Sequence, residues 1–161
     1  MKEAFAPIID KHSKIVILGT MPGERSLALQ QYYGHPGNHF WKIMFRLFGA
    51  EFTTDYAVRT DLLKANRIAL WDVLKYCEGK GSADTAIKNE VPNDFEAFHV
   101  RYPNIHTVIF ASKKAEKFHK KYVDRREGIA YYTLPSPSGA YASKSLQQKL
   151  EEWQIILSLL E

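Results

Sequence analysis

Ile15-Val16-Ile17-Leu18, followed at once by Gly19-Thr20-Met21-Pro22-Gly23, constrains this chain more than any other stretch. Four uncharged apolar residues, three of them β-branched, suit a strand covered on both faces, and the Gly/Pro cluster suits a tight loop at its end. Three comparable runs follow, Arg67 to Leu74, Ile105 to Ala111 and Ile129 to Leu134. Helical patterns lie between and after them. His39 to Phe48 is densely apolar and stops at Gly49, as a mostly buried helix with a glycine stop signal would. Pro92, with Asp94 and Glu96 behind it, reads as the first turn of a helix that must end before Pro103. Lys113 to Tyr122 is a basic amphipathic helix. In the last helix Ser145 and Gln148 fit a capping box, while Leu146, Leu150, Trp153, Leu157 and Leu160 recur at three- and four-residue steps. Alternating strands and helices joined by right-handed crossovers predict an α/β fold, with a mainly parallel four-stranded sheet covered on both faces. In such sheets ligand loops gather at the strand C-terminal ends, so Gly19 to Gly23 and Pro135 to Gly139 are expected to meet there.

With 161 residues, 45% of them hydrophobic, and no repeat, linker or low-complexity tract, residues 1–161 read as a single domain. Twenty-two Lys and Arg against 18 Asp and Glu give a formal charge of +4, which permits nucleic-acid binding without demanding it. Cys77 is the only cysteine, which excludes an intramolecular disulfide or a cysteine-ligated iron–sulfur cluster and suits a reducing compartment; its plain reading is a semi-buried thiol. No apolar run approaches the roughly 18 residues that a membrane span needs, so the expectation is a soluble, cytoplasmic protein.

Gly19 to Gly23 could bring backbone amides close to an anion or a base edge, although alone it reads first as a plain strand-to-helix turn. It is neither a GxGxxG fingerprint nor a phosphate loop. The stretch Gln30-Gln31-Tyr32-Tyr33-Gly34-His35-Pro36-Gly37-Asn38-His39-Phe40-Trp41 then packs aromatics, histidines and an amide around Gly and Pro, which is loop chemistry rather than a core pattern. Together, Gly-x-Met-Pro-Gly, Ser-Leu and Tyr-Tyr-x-His-Pro-x-Asn-x-Phe-Trp resemble the first motif of hypoxanthine-DNA glycosylases, a branch of the uracil-DNA glycosylase superfamily, and also look like the mismatch-specific uracil-DNA glycosylases. The resemblance continues through Ala69-Leu70-Trp71-Asp72-Val73-Leu74, then Gly81-Ser82-Ala83-Asp84 to Ile87-Lys88-Asn89-Glu90. It ends at Leu134-Pro135-Ser136-Pro137-Ser138, similar to the superfamily's second motif.

The resemblance implies a three-layer α/β/α sandwich and an enzyme that hydrolyses the N-glycosidic bond of a deaminated base, hypoxanthine first and uracil or xanthine as further candidates. It implies DNA as partner, a monomer, and no metal or other cofactor. It makes Asn38 the catalytic residue, its amide oxygen holding the attacking water, where turn statistics alone read an Asx turn. Tyr33 would stack on the extruded base, with a partly exposed loop tyrosine as the plain alternative; the amides of Thr20 and Met21 would bond the base, and His35 would contact base or phosphate or else buttress the loop. Pro135, Ser136, Pro137 and Ser138 would press on the DNA backbone, where a stiff surface turn is the plain alternative. Lys113, Lys114, Lys117, Lys120 and Lys121 form a basic face that reads first as solvated, with nonspecific phosphate attraction as the alternative.

Three departures qualify the resemblance. Met21 stands where the mismatch-specific relatives carry Asn, which favours the hypoxanthine branch. Gly139-Ala140-Tyr141 replaces the usual Pro-Ala-Asn, leaving Tyr141 as a candidate wedge into the base stack. Phe110-Ala111-Ser112 replaces Phe-Asn-Gly, so Ala111 cannot bond the base edge and only the Ser112 hydroxyl could partly stand in. No lysine occupies a recognised nucleophile position, so the product would be an abasic site without strand cleavage. The lost Asn motivates a second reading, a glycosylase fold that binds damaged or single-stranded DNA without catalysis. A third, a small nucleotide-binding α/β enzyme, lacks a phosphate-binding signature.

Overall fold

The structure, a computed structural model, describes residues 1–79 and 87–161. The Gly81 to Asp84 block lies outside the described residues. The elements run β1 (Lys2–Glu3), β2 (Ile15–Gly19), α1 (Glu24–Leu29), α2 (Phe40–Leu47), α3 (Tyr56–Ala65), β3 (Ile68–Asp72), β4 (Leu74–Glu78) and β5 (Lys88–Pro92). They continue with α4 (Phe95–Arg101), β6 (Thr107–Phe110), α5 (Lys113–Tyr122), β7 (Ala130–Thr133), α6 (Leu146–Trp153) and α7 (Ile155–Leu159).

β3, β2, β6 and β7 form a four-stranded sheet in that order, every pair parallel, with Ile15 opposite Ile68 and Thr107. Side chains alternate between its faces with the period of a strand. Ile15, Ile17, Ile68, Leu70 and Ile109 join Phe40, Phe45, Leu63, Trp153 and Ile156 of α2, α3, α6 and α7. Val16, Leu18, Ala69, Val108 and Phe110 join Phe95, Phe98 and Ala115 of α4 and α5. Helices therefore cover both faces, which is the α/β/α sandwich. All four apolar residues of β2 are fully withdrawn from solvent. Such burial stabilises by roughly 1.5–3 kcal/mol per large aliphatic side chain, which is why Ile15 to Leu18 carries no charge.

A second, antiparallel sheet, β1-β4-β5, flanks this core and was not expected from the sequence. The strand expected over Arg67 to Leu74 ends at Asp72; the chain bends at Val73 and enters β4. Cys77, on β4, is 1% exposed. Pro92 closes β5 instead of opening α4, and Asp94 caps that helix by accepting from the Ala97 N–H at 3.0 Å. α3 escaped the periodicity because Leu63 is its only fully buried residue; Asp55 caps it. The expected last helix has its capping box at Ser145 and Gln148, but divides at Gln154 into α6 and α7.

Candidate active site

A cavity of about 590 Å³ opens at the C-terminal ends of β2, β3 and β6, within the usual range for ligand pockets. Gly19 to Gly23 forms one wall; Tyr32, Tyr33, His35 and Asn38 form another; Ser136 to Ala140 a third; Arg25, Ser26, Asp72, Ala111 and Ser112 complete it. Thr20, Met21, Tyr33, His35, Asn38, Ser112, Ser136, Pro137 and Ser138, named from the sequence, thus line one cavity. Pro135 and Tyr141 are not in its wall.

The two loops expected to meet are joined by a hydrogen bond from the His39 N–H to the Pro137 carbonyl at 2.7 Å. Gly139 packs so closely that a Cβ there would lie 2.7 Å from the Gly37 carbonyl oxygen. Main chain on main chain leaves little room to yield. Gly139→Ala should therefore lower stability by about 1–2 kcal/mol, read as a lower urea midpoint. An unchanged midpoint would mean the loops separate freely.

Helix α6 supports the second loop from behind. Trp153 Nε1 donates to the Pro135 carbonyl at 2.9 Å, and Lys149 Nζ donates to the Ser138 carbonyl at 2.9 Å. Lys149 is fully buried beside His39, and burial lowers the pKa of both side chains, with their mutual repulsion adding to the effect on His39. The sequence carried a signal for Lys149: it falls on the apolar stripe of α6, three residues after Leu146 and four before Trp153. Tyr141 stands outside the wall with Lys149 Nζ 5.6 Å from its ring centre.

The first loop is folded by its own side chains. Tyr32 OH donates to the Ala6 carbonyl at 2.9 Å, and Trp41 Nε1 donates to the Tyr32 carbonyl at 2.8 Å. His35 Nδ1 accepts from the Gly37 N–H at 2.9 Å, which leaves Nε2 as the hydrogen-bearing nitrogen of the neutral ring. Asn38 Oδ1 accepts from the Phe40 N–H at 2.9 Å, an Asx-type turn that leads into α2. One lone pair of that oxygen is thereby used and another remains. Ser112 Oγ accepts from the Ala115 N–H at 3.0 Å as the cap of α5. Met21 packs its side chain on the apolar cluster below, so it lines the cavity beside a core contact.

Tyr33 has φ 51°, a left-handed conformation that costs a non-glycine residue on the order of 1 kcal/mol or more. Its ring stacks on Phe40, with centroids 4.3 Å apart and planes 21° from parallel, so one ring face is already covered. Its hydroxyl is buried and, among the described residues, has no hydrogen-bond partner. Beside it lies Asp72, which the sequence reading did not single out. Asp72 is 5% exposed, and its Oδ2 also has no partner among the described residues. Burial pushes its carboxyl up to about 7. Gly19, directly across the ladder from Asp72, makes room for both groups: a Cβ there would sit 2.6 Å from Asp72 Oδ1 and 3.0 Å from the Tyr33 hydroxyl. A charged residue ending an otherwise apolar strand, Ile68-Ala69-Leu70-Trp71-Asp72, was the available signal.

Among the described residues no three His, Cys, Asp or Glu side chains gather as a metal ligand set, and no helix is long and apolar enough to cross a membrane.

A parallel sheet between helix layers, with strand-end loops closing over a polar cavity, defines an α/β protein that works at its strand C-terminal ends. The family model of the uracil DNA glycosylase superfamily matches residues 6–160, and the chain belongs to that superfamily. It is similar to the hypoxanthine DNA glycosylase of Methanosarcina barkeri, 38% identical over 153 residues that cover 94% of this chain and 95% of the relative. The hypoxanthine DNA glycosylase of Methanosarcina acetivorans is 34% identical over 158 residues, covering 97% and 98%. Among solved structures, the solution NMR structure of a candidate uracil DNA glycosylase from Methanosarcina acetivorans superposes with a TM-score of 0.83 at 34% identity, covering 99% of this chain and 98% of that one.

Proposed function

We propose that this protein is a monofunctional DNA glycosylase that releases hypoxanthine from deaminated DNA and leaves an abasic site. The observation that carries the reading is the near full-length similarity to two proteins named hypoxanthine DNA glycosylase. Breaking the N-glycosidic bond puts positive charge on the sugar and negative charge on the departing base. A duplex base must first rotate out of the stack, at a cost of a few kcal/mol that falls when the base is mispaired. The free lone pair of Asn38 Oδ1 suits it to hold the attacking water, with its orientation fixed by the Phe40 N–H. Main-chain amides of Thr20 and Met21 would stabilise the leaving base, and the exposed face of Tyr33 would stack on it. Ser136, Pro137 and Ser138 would meet the phosphates, with Lys149 and Trp153 holding their loop in place. The protein would act as a monomer, inside the cell, on DNA.

The test is alkali-developed cleavage of end-labelled duplexes, each carrying one inosine, uracil, xanthine or thymine mispair, with protein in excess. Release from inosine is expected, and strand cleavage without alkali is not. Ala111, which offers the cavity no polar side chain, favours a second reading as a noncatalytic binder of damaged DNA. Tight binding with no release from any of the four duplexes would establish that reading instead.

A further inference from the structure

Most polar side chains in the cavity wall already hold main-chain groups. Asn38 Oδ1 accepts from Phe40, Ser112 Oγ from Ala115, Ser136 Oγ from Ser138, Ser138 Oγ from Ala140, Ser26 Oγ from Gly34 and His35 Nδ1 from Gly37. Among the described residues two buried polar groups of the wall stand apart, Asp72 Oδ2 and the Tyr33 hydroxyl, neither with a partner. A buried carboxyl without a hydrogen bond is costly, and such a group in a cavity wall marks where a ligand's polar atoms go. Asp72 also lies deeper than Asn38, which is only half-buried, so a base entering past Asn38 would bring its far edge to Asp72.

We propose that Asp72 bonds the edge of the extruded base where a ring carbonyl sits beside a ring N–H, donating to the first and accepting from the second, with the Tyr33 hydroxyl as its neighbour. The inference rests on the glycosylase reading and assigns the base-contacting residue within it. A protonated carboxyl has one donor and one acceptor at the spacing that this edge requires. Burial supplies the protonated form, since it pushes Asp72 up to about 7 and, among the described residues, no cation within bonding reach opposes the shift. The ionisable groups around it are Tyr33 and Tyr32 of the first loop, both raised by burial and by Asp72 itself, and Arg25 and His35, which line the same cavity. As the glycosidic bond breaks, negative charge grows on the base; a neutral acid strengthens its hydrogen bond to that charge, whereas a carboxylate would repel it. Main-chain contacts hold the residue in place: Asn93 Nδ2 donates to the Asp72 carbonyl at 2.8 Å.

Two readouts on the full chain test this. The first is the affinity of free hypoxanthine and of 1-methylhypoxanthine, whose methyl blocks the ring N–H, for wild type, Asp72→Asn and Asp72→Leu. The second is single-turnover release from an inosine duplex between pH 5.5 and 9. Wild type should prefer hypoxanthine at least about tenfold and Asp72→Leu should bind the two alike. Wild-type release should fall above about pH 7, while Asp72→Asn, which keeps a donor and an acceptor but cannot ionise, should stay flat and overtake wild type there. A wild type that binds both purines alike, an Asp72→Leu variant that binds and releases like wild type, or an Asp72→Asn profile with the wild-type fall would each overturn the proposal. Base binding that depends on Asp72 without release from any duplex would remove the catalytic reading and leave this one standing.

Discussion

Asn38→Ala should slow the release of hypoxanthine from an inosine duplex by at least about 100-fold, the low end of what a positioned side chain that handles the attacking water contributes. The same change removes the bond from the Phe40 N–H to Asn38 Oδ1 at the start of α2, which should cost about 1 kcal/mol of stability. These two effects must be separated, because a loosened loop also slows a reaction. Asn38→Asp separates them. It keeps the oxygen that the Phe40 N–H needs, so its urea midpoint should match wild type, and it keeps an oxygen for water, so it should turn over faster than the alanine variant. Single-turnover rates and unfolding midpoints of the three proteins decide the matter. Wild-type turnover in Asn38→Ala would remove Asn38 from the reaction.

How much of this was legible in the sequence follows from what each segment buries. β2, β3 and β6 read clearly because both of their faces are covered, so no position tolerates charge until the strand ends. α2 and α6 read clearly because each buries one dense stripe. α3 did not, because a helix with one fully buried side chain carries almost no periodic signal. The antiparallel sheet was invisible for a related reason: β5 is Lys88-Asn89-Glu90-Val91-Pro92, with every residue at least partly exposed, so main-chain pairing to β4 holds it and no apolar pattern records that. The meeting of the two loops could be read from topology, since parallel strands deliver their C-terminal ends to one edge. What topology could not supply was the state of each side chain there. That Asn38 and Ser112 already bond main-chain N–H groups, and that Asp72 Oδ2 has no partner among the described residues, depends on distances of a few tenths of an ångström.

Asp72 should also appear in the thermodynamics, and here the expected effect is large and of unusual sign. Its carboxyl moves from an ordinary value of 3.8 to about 7 in the folded protein because burial disfavours the charged form. Between those values the folded state holds a proton that the unfolded chain has released, so stability from this group must fall as pH rises through that window, and stay low above it. At about 1.4 kcal/mol for each pH unit between the two values, the cost approaches about 4 kcal/mol at pH 8 as an upper bound. Asp72→Asn cannot ionise and fills nearly the same space beneath Gly19, so it should equal wild type near pH 4 and exceed it by a few kcal/mol at pH 8 in urea unfolding. Equal stability of the two proteins at pH 8 would mean that the carboxyl finds a partner or water in solution, and its role as an acid in the cavity would go with it. A gain in stability on neutralising Asp72, set beside loss of base recognition in Asp72→Leu, would show that the protein carries a destabilising buried acid because the ligand, not the fold, satisfies it.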